Sequence, residues 1–358
     1  MSKKIRNPLN GLVALDLLPT ISAFTPSHGL FADSGLFKEY GLKTNSIAYN
    51  VENSTGATMT KLNSRTERDK TRVSKKKGRA VTANGVTIAL DGGIHVEDIQ
   101  NRIVGIFEED EKTVRTHLIQ EVATVYDSFA QSYEYLLVTA SQGRARNPED
   151  GSVAVDMFEI NGVQQNVFDI DLSATSTTVK ADLNELKNRL SVLNAGYGTI
   201  STIEVWVAEN VFDAIAEHDN FLATTTWAYA GRGAEAVAVA NQNHNAYIQG
   251  KYGHYREFRY ENFVFRTYPS IFTRLDGTVQ DIVADGEGWT VVRGARDSYE
   301  VGFAPAPYFS ELTGVGKKIL AKTDDKHNDV NLDFTIESHL TPILKRPELS
   351  FRLRFDLG

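Results

Sequence analysis

Cysteine is absent from this chain of 358 residues. Its absence excludes disulfide bonds, thiolate nucleophiles and zinc or iron–sulfur centres held by cysteine. The sequence also lacks any run close to the roughly 20 consecutive apolar residues that a membrane-spanning helix needs. The basic residues Lys3, Lys4 and Arg6 precede a short apolar run, but Asp16 interrupts that run and no small-residue cleavage site follows. We therefore expect neither export nor a membrane partner.

Motifs for catalysis or cofactor binding are missing as well. The stretch GVGKK at 314–318 is similar to a phosphate-binding loop, but Glu311 replaces the first glycine and Lys318 replaces the Ser or Thr that binds magnesium. His95 and Glu97 would share one face of a strand, as metal ligands do, yet no second cluster accompanies them. We therefore predict that the protein is not an enzyme and that it has no cofactor, metal or catalytic residue.

Positive charge is scarce overall and concentrated in one segment. The chain has 38 Lys and Arg against 46 Asp and Glu, which gives a formal net charge of −8. Residues 60–80, TKLNSRTERDKTRVSKKKGRA, contain nine basic and two acidic side chains, a balance of +7. Removing this +7 from the total of −8 leaves −15 on the rest of the chain.

Three interpretations fit this basic segment. Nucleic acid binding is the first, because clustered cations displace counterions from phosphate. However, the segment lacks the aromatic residues that stack on bases, and the acidic remainder of the chain would repel a polyanion. A solvated loop around Lys75–Lys77 is the second interpretation. The third, which we favour, is contact with a protein partner that presents an acidic surface.

The pattern around the basic segment predicts an extended excursion of the chain. Ile47, Tyr49 and Val51 alternate with small or polar residues, and a similar alternation returns between residues 81 and 90. Two such limbs with a polar tip are too thin to bury apolar area alone, so we expect a partner to cover them. The preceding residues 1–43 are broken by proline and glycine and are expected to lie along another part of the protein.

Longer elements are predicted downstream of the excursion. Apolar residues recur at spacings of three or four from Val114 to Leu136, which predicts a long helix over about 111–141 that would act as a spine. The segment 157–170 is predicted to be a hairpin that turns at Asn161-Gly162.

The remaining elements complete a mixed α+β pattern. A helix at about 177–193, a strand at 201–209 and a second helix at 210–222 follow, and Asn210 is expected to cap the second helix. The last strand, at 349–355, alternates apolar and polar residues and would lie most simply on the spine helix.

The order of these parts, together with particular stretches of sequence, resembles the major capsid proteins of tailed bacteriophages. The stretches are GLFADSGLFKEYGLKTNSIAYNVENSTG before the basic segment, GIHVEDIQNR before the spine helix, and YEVGFAPAPYFSEL with FTIESHLTPILKRPELSFRLRF near the end. Within that group the chain is similar to the lambda-type proteins, the capsid protein E family. The similarity in layout extends over about residues 20–358.

The resemblance implies an α+β fold, the phage capsid fold of the Hong Kong 97 type. It implies an N-terminal arm at 1–43, an extended loop at 44–92, a peripheral domain at 93–171 and 299–358 that contains the spine helix, and an axial domain at 172–298. The basic tip of the loop and the lack of prolines on its return limb depart from the commonest pattern in these proteins.

The resemblance also implies a function, self-assembly into the hexamers and pentamers of an icosahedral phage head that encloses double-stranded DNA. The expected partners are other copies of the chain, scaffold, portal and decoration proteins, and packaged DNA held without sequence specificity. The expected location is the virion, after assembly in the cytoplasm of the bacterial host. An encapsulin-like shell around a protein cargo is one alternative, and a soluble DNA-binding protein that uses residues 60–80 is another.

We predict which residues contact the neighbouring copy. Basic side chains at the tip would set register and association rate against an acidic surface, whereas apolar residues of the two limbs would supply most of the affinity under the cover of the neighbour. The predicted contact residues are Ile47, Tyr49, Arg65, Arg68, Arg72, Lys75, Lys76, Lys77, Arg79, Ile88 and Leu90.

Overall fold

A computed structural model of the chain provides the fold. The residues that it describes are 17–52, 78–95, 97, 110–173, 178–195, 197–218, 221, 247–269, 271–274, 276–311, 313–323 and 331–357. The chain divides into two compact units. Unit 1 comprises Met1–Ile47, Asn84–Leu136 and Val301–Thr341, and unit 2 comprises Ala48–Ala83, Leu137–Glu300 and Pro342–Gly358.

The described chain contains both helices and strands and is mixed α+β, as predicted. The helices are α1 (Leu17–Ala23), α2 (Leu30–Asp33), α3 (Asp110–Ser141), α4 (Met157–Asn161), α5 (Thr178–Leu193) and α6 (Glu209–Glu217), with 3₁₀ turns at Phe309–Glu311 and Pro347–Leu349. The strands are β1 (Lys38–Gly41), β2 (Ser46–Glu52), β3 (Gly78–Asn84), β4 (Val86–His95), β5 (Arg144–Arg146), β6 (Val153–Asp156), β7 (Val167–Asp171), β8 (Thr202–Val207), β9 (Ile248–Gly250), β10 (Gly253–Tyr255), β11 (Glu257–Tyr260), β12 (Phe263–Arg266), β13 (Phe272–Thr273), β14 (Val279–Gln280), β15 (Glu287–Arg293), β16 (Tyr299–Phe303), β17 (Leu320–Thr323), β18 (Asn331–Leu344) and β19 (Arg352–Asp356).

The long helix α3 confirms the predicted spine. It has 32 residues, which corresponds to a length of roughly 48 Å. Its buried stripe follows the predicted spacing, although the side chain of Val114 lies outside the described residues. The stripe residues are Leu118, Val122, Val125, Phe129, Tyr133 and Leu136, each 9% exposed or less.

The N-terminal arm is attached to α3 through carboxylates. The buried Glu134 accepts hydrogen bonds from the backbone N–H groups of Phe31, at 2.5 Å, and Ala32, at 3.0 Å, in the short helix α2. Two turns earlier on α3, Asp127 accepts bonds from the N–H of Ser27 at 2.6 Å and from its hydroxyl at 2.9 Å. This part of the arm therefore lies along the spine helix, which confirms that it depends on another element for its position.

The sheet that contains β18 has five strands. Its order is β1-β16-β18-β17, and β4 also pairs with β18. The antiparallel pairing of β4 and β18 is long, running without a break from Asn331 opposite His95 to Leu340 opposite Val86. Phe334 and Ile336 of β18 are buried on the same face as Leu340, as the alternating sequence of this strand requires.

Unit 2 contains a six-stranded sheet of order β11-β12-β8-β15-β19-β7. Strand β12 is parallel to β8 and β19 is parallel to β7, whereas the other neighbouring strands are antiparallel. One face of this sheet forms the core of the unit with α5 and α6. The helices contribute apolar residues at spacings of three or four, such as Leu183, Leu186 and Leu190 of α5.

The predicted hairpin at 157–170 was wrong. Residues Met157–Asn161 form the helix α4 because Asp156 caps it, accepting hydrogen bonds from the backbone N–H groups of Phe158 and Glu159. Gly162, expected in a hairpin turn, instead ends this helix in the left-handed conformation, with φ 65° and ψ 34°.

Two smaller predictions in unit 2 also need correction. Helix α6 begins at Glu209 after Ala208, and the Asn210 side chain accepts a hydrogen bond from the N–H of Val211 inside the first turn, so it does not cap the helix. The strand predicted at 349–355 begins later, at Arg352, after a 3₁₀ turn. Its apolar side chains pack in the core that α5 and α6 build, in place of the predicted packing on the spine helix.

The predicted domain boundaries remain a prediction. The six-stranded sheet combines strands from the proposed axial segment 172–298 with β7 and β19, which come from segments assigned to the peripheral domain.

In the described ranges, no helix is both long and apolar enough to cross a bilayer.

Candidate assembly surface

The two limbs of the predicted excursion begin as a two-stranded ribbon formed by β2 and β3. Ile47 and Tyr49 of β2 are only 4% and 8% exposed, and Val81 and Ala83 of β3 are buried as well. The structure thus confirms the alternation. It corrects the expectation that a neighbouring copy covers Ile47 and Tyr49, because residues of the same chain already shelter them.

Hydrogen bonds hold the ribbon in place within unit 2. The Tyr49 hydroxyl donates to the Asn161 side-chain oxygen at 3.2 Å. Burial raises the pKa of Tyr49, and the Asn161 bond and the positive charge of Arg79 offset only part of this effect. The Asn161 amide in turn donates to the carbonyl oxygens of Met157 at 2.8 Å and Leu344 at 3.4 Å. This network explains why the end of α4 and the ribbon have a defined geometry.

Arg79 is a predicted basic contact residue within the described ranges. It is exposed on β3, and its guanidinium donates a hydrogen bond of 2.7 Å to the carbonyl oxygen of Ile160. The other predicted basic contacts lie outside the described residues. They are Arg65, Arg68, Arg72, Lys75, Lys76 and Lys77.

The return limb of the predicted excursion is divided between two strands. Gly85 separates β3 from β4, and its N–H donates to the carbonyl oxygen of Asn45 at 3.2 Å. Beyond it, β4 is a full member of the five-stranded sheet, so Ile88 is buried at 8% and Leu90 is half-buried. The alternation at 81–90 predicted one return strand, and it gave no sign that Gly85 divides this strand or that β18 pairs with its second part.

Exposed apolar side chains are the contact candidates that sequence reasoning missed. Phe309 stands out with 98% exposure. Its local sequence, APAPYFSEL, could have indicated this exposure. An aromatic residue in a proline-rich loop does not belong to a periodic apolar face that packs in a core. The exposed large apolar residues in the described ranges are Val153, Val167, Val192, Tyr247, Ile248, Ile271, Val279, Phe309, Val315 and Leu357.

Charged side chains in the six-stranded sheet are paired with one another. The buried Glu204 on β8 accepts hydrogen bonds from Arg266 at 3.0 Å and Arg293 at 2.6 Å, while one of its oxygens has no partner. On β11, Glu257 bonds both Arg266 and Arg259 at 2.7 Å. Burial tends to raise the pKa of Glu257, but the two arginines outweigh it, so the pKa is lowered. The two arginines therefore favour the ionised form of Glu257, which suits a structural role.

The motifs considered for chemistry, at 314–318 and at His95 with Glu97, lie within the described residues. His95 and Glu97 are both exposed. Where the structure describes the chain, no group of three or more His, Cys, Asp or Glu is placed to hold a metal ion.

Comparison with known families identifies the chain. The family described as phage major capsid protein E matches residues 14–355. The chain belongs to this family. It is a major capsid protein of phage heads, a component of the virion that assembles from many copies of itself. The family and the fold are those of structural capsid proteins.

Solved structures show the same fold at low sequence identity. A capsid protein of a prophage of Escherichia coli CFT073 is 13% identical, with a TM-score of 0.57 over 95% of this chain and 98% of that chain. The capsid of Ralstonia phage GP4 is 8% identical, with a TM-score of 0.50 over 93% of this chain and 92% of that chain. No curated protein sequence matches significantly. This member of the phage major capsid protein E family therefore has the Hong Kong 97-type capsid fold that was predicted from its sequence.

Proposed function

We propose that this capsid protein forms hexamers and pentamers, which close into an icosahedral head around double-stranded DNA. The observation that carries the proposal is the family match over residues 14–355, nearly the whole chain. Scaffold, portal and decoration proteins are the further partners, packaged DNA contacts the inner surface without sequence specificity, and assembly takes place in the cytoplasm of the bacterial host. The protein performs no catalysis in this role.

The contrast in charge within one chain suggests how copies recognise each other. Residues 60–80 carry +7, while the rest of the chain carries −15. In a head-to-tail ring, the basic tip of one copy meets the acidic surface of the next, so like charges are separated and opposite charges meet. The predicted basic contact residues between Arg65 and Arg79 supply most of this charge. Leu90, which its own chain only half covers, is the apolar limb residue that a neighbour can still shelter.

Charge reversal in the basic segment tests this proposal. Replacing Lys75, Lys76, Lys77 and Arg79 with Glu should leave a folded subunit that no longer forms closed particles, because the tip then repels the acidic neighbour. The measurements are circular dichroism for folding, and sedimentation with negative-stain microscopy for particles. Particles at wild-type yield from this variant would contradict the proposed role of the segment.

A matched variant separates the position of the charge from its amount. Glu at Lys180, Lys187, Arg189 and Arg296, which are at least one-third exposed, changes the net charge by the same amount on α5 and a nearby loop. This control should assemble. If it fails as completely as the variant in the basic segment, net charge controls assembly and the assignment of the contact to residues 65–79 is wrong.

A further inference from the structure

Phe309 is almost completely uncovered by its own chain, with 98% of its surface exposed. The other exposed large apolar residues in the described ranges keep part of their surface covered, at exposures of 38% to 75%. A single exposed apolar residue is ordinary on a protein surface. Complete exposure of an aromatic ring is different, because a phenylalanine ring gains more from burial than most side chains do.

The turn that carries Phe309 is held in place by backbone hydrogen bonds. The N–H of Tyr308 donates to the carbonyl of Ala306 at 2.8 Å, and the N–H of Glu311 donates to the carbonyl of Tyr308 at 3.0 Å. Further along the loop, the N–H of Gly316 donates to the carbonyl of Leu42 at 2.8 Å. A ring presented on such an ordered turn loses less conformational entropy when it binds than a ring on a free loop does.

The loop packs tightly where it returns to the sheet. A side chain at Gly316 would come within 2.0 Å of the carbonyl oxygen of Phe303, and one at Gly41 would come within 2.4 Å of Val315. The loop backbone therefore lies directly against the neighbouring backbone, and the room for it to fold over Phe309 is small. On the other side of the turn, the Lys322 ammonium lies 4.1 Å from the centre of the Tyr308 ring.

The loop that carries Phe309 also carries apolar and charged side chains. Val315 is 48% exposed. Glu311 forms an ion pair of 3.3 Å with Lys317, and Lys318 pairs with Glu39 at 2.6 Å. Protein interfaces commonly combine an aromatic anchor with polar residues that exclude water once the partner is bound.

We propose that Phe309 anchors a contact with a second copy of this chain. The occupant is a second copy because the family to which the chain belongs assembles from many copies, and the described residues of the subunit leave 98% of the ring uncovered. This contact is separate from the one assigned to the basic segment, since it lies on the loop between β16 and β17. The inference rests on self-assembly but not on the role of residues 65–79.

Substitution of Phe309 tests the anchor. Because its own chain does not cover the ring, Phe309→Ser should fold with an unchanged melting temperature and yet reduce the yield of closed particles more than about tenfold. Phe309→Leu, which keeps most of the apolar surface, should retain a near-normal yield. If Phe309→Ser assembles like the wild type, the proposal is wrong. Wild-type protein that never forms particles would instead contradict the proposed function, and the anchor with it.

The absence of cysteine provides a direct readout of burial. Phe309→Cys introduces the only thiol in the chain, so a maleimide reagent reports on this position alone. The variant should be mixed as a minor fraction with wild-type subunits, so that particles still form. We expect the thiol to react readily in dissociated subunits and at least about tenfold more slowly in particles. Equal reaction rates in the two states would overturn the proposal even if Phe309→Ser assembled poorly.

Discussion

Two segments near opposite ends of the chain are held in contrasting ways. The N-terminal segment around Ser27–Ala32 is held by the carboxylates of Asp127 and Glu134, which accept hydrogen bonds from its backbone. The C-terminal strand β19 is held by apolar side chains, with Leu353 fully buried between α5, α6 and the neighbouring strands. The first attachment is directional and local, whereas the second is part of a continuous core.

The contrast shows that the arm adds directional hydrogen bonds to the burial of Phe31, which is 2% exposed. A buried carboxylate with two N–H donors fixes the position of a short helix, but it ties few other residues to that helix. Loss of a core side chain affects every residue that shares the core. We therefore expect local release in one case and global destabilisation in the other.

The largest effect is expected in β19. Leu353→Ala should lower the free energy of unfolding by about 2–5 kcal/mol, because it removes a buried side chain and leaves a cavity in the core. Thermal and denaturant unfolding would measure the loss. A change below about 1 kcal/mol would show that the core of unit 2 does not hold this strand as described.

A smaller and more local effect is expected at the spine helix. Glu134→Ala should cost about 1–3 kcal/mol, because the N–H groups of Phe31 and Ala32 lose their acceptor. Hydrogen exchange should rise at residues 30–34 while the amides of β19 stay protected. Asp127→Ala is the matched control and should release only the region of Ser27. Uniformly faster hydrogen exchange across the chain in Glu134→Ala would show that this residue stabilises the whole protein, which would contradict a local attachment.

The ion pairs of unit 2 predict a response to acid. The lowered pKa of Glu257 means that its charged form stabilises the fold above the unfolded pKa of about 4.3, and that this contribution is lost as pH falls through the lower folded pKa. Glu257→Gln should therefore reduce stability at neutral pH and flatten the fall of the melting temperature in acid. Glu149→Gln, in an exposed loop, controls for the loss of one charge. An unchanged acid profile in Glu257→Gln would contradict the ion-pair account.

The smallest effect is expected from the residue next to Leu353. Arg354 points away from the core and pairs with Asp169 at 2.7 Å, but both side chains are more than half exposed. Arg354→Ala should therefore change the free energy of unfolding by at most about 1 kcal/mol. Two adjacent residues of one strand would then differ severalfold in their effect. Equal losses in the free energy of unfolding for Leu353→Ala and Arg354→Ala would contradict the distinction between core and surface residues in β19.

The sequence predicted elements with clear apolar periodicity. The stripe of α3 and the alternating residues Phe351, Leu353 and Phe355 appear in the structure as expected, because a buried face repeats along the chain. The class of fold followed from the order of such elements and from the resemblance to capsid proteins.

What the sequence could not predict depends on partners distant along the chain. Glu134 meets Phe31 about a hundred positions away, and a single glutamate in a helix gives no sign of such a bond. A helix forms where the Asn-Gly pair predicted a hairpin turn, because the side chain of Asp156 caps that helix. The burial of Ile47 and Tyr49 within their own chain could not be predicted for the same reason, since Gly302 and Asn161, which lie beside them, are far away in sequence.

Cryo-electron microscopy of particles assembled from the purified wild-type chain tests the central claim most directly. We predict closed icosahedral shells in which copies form rings of five and six, residues 60–80 of each copy lie against an acidic surface of the next, and Phe309 is covered at a contact between copies. A protein that stays monomeric at high concentration, with residues 60–80 packed against their own subunit, would contradict the account.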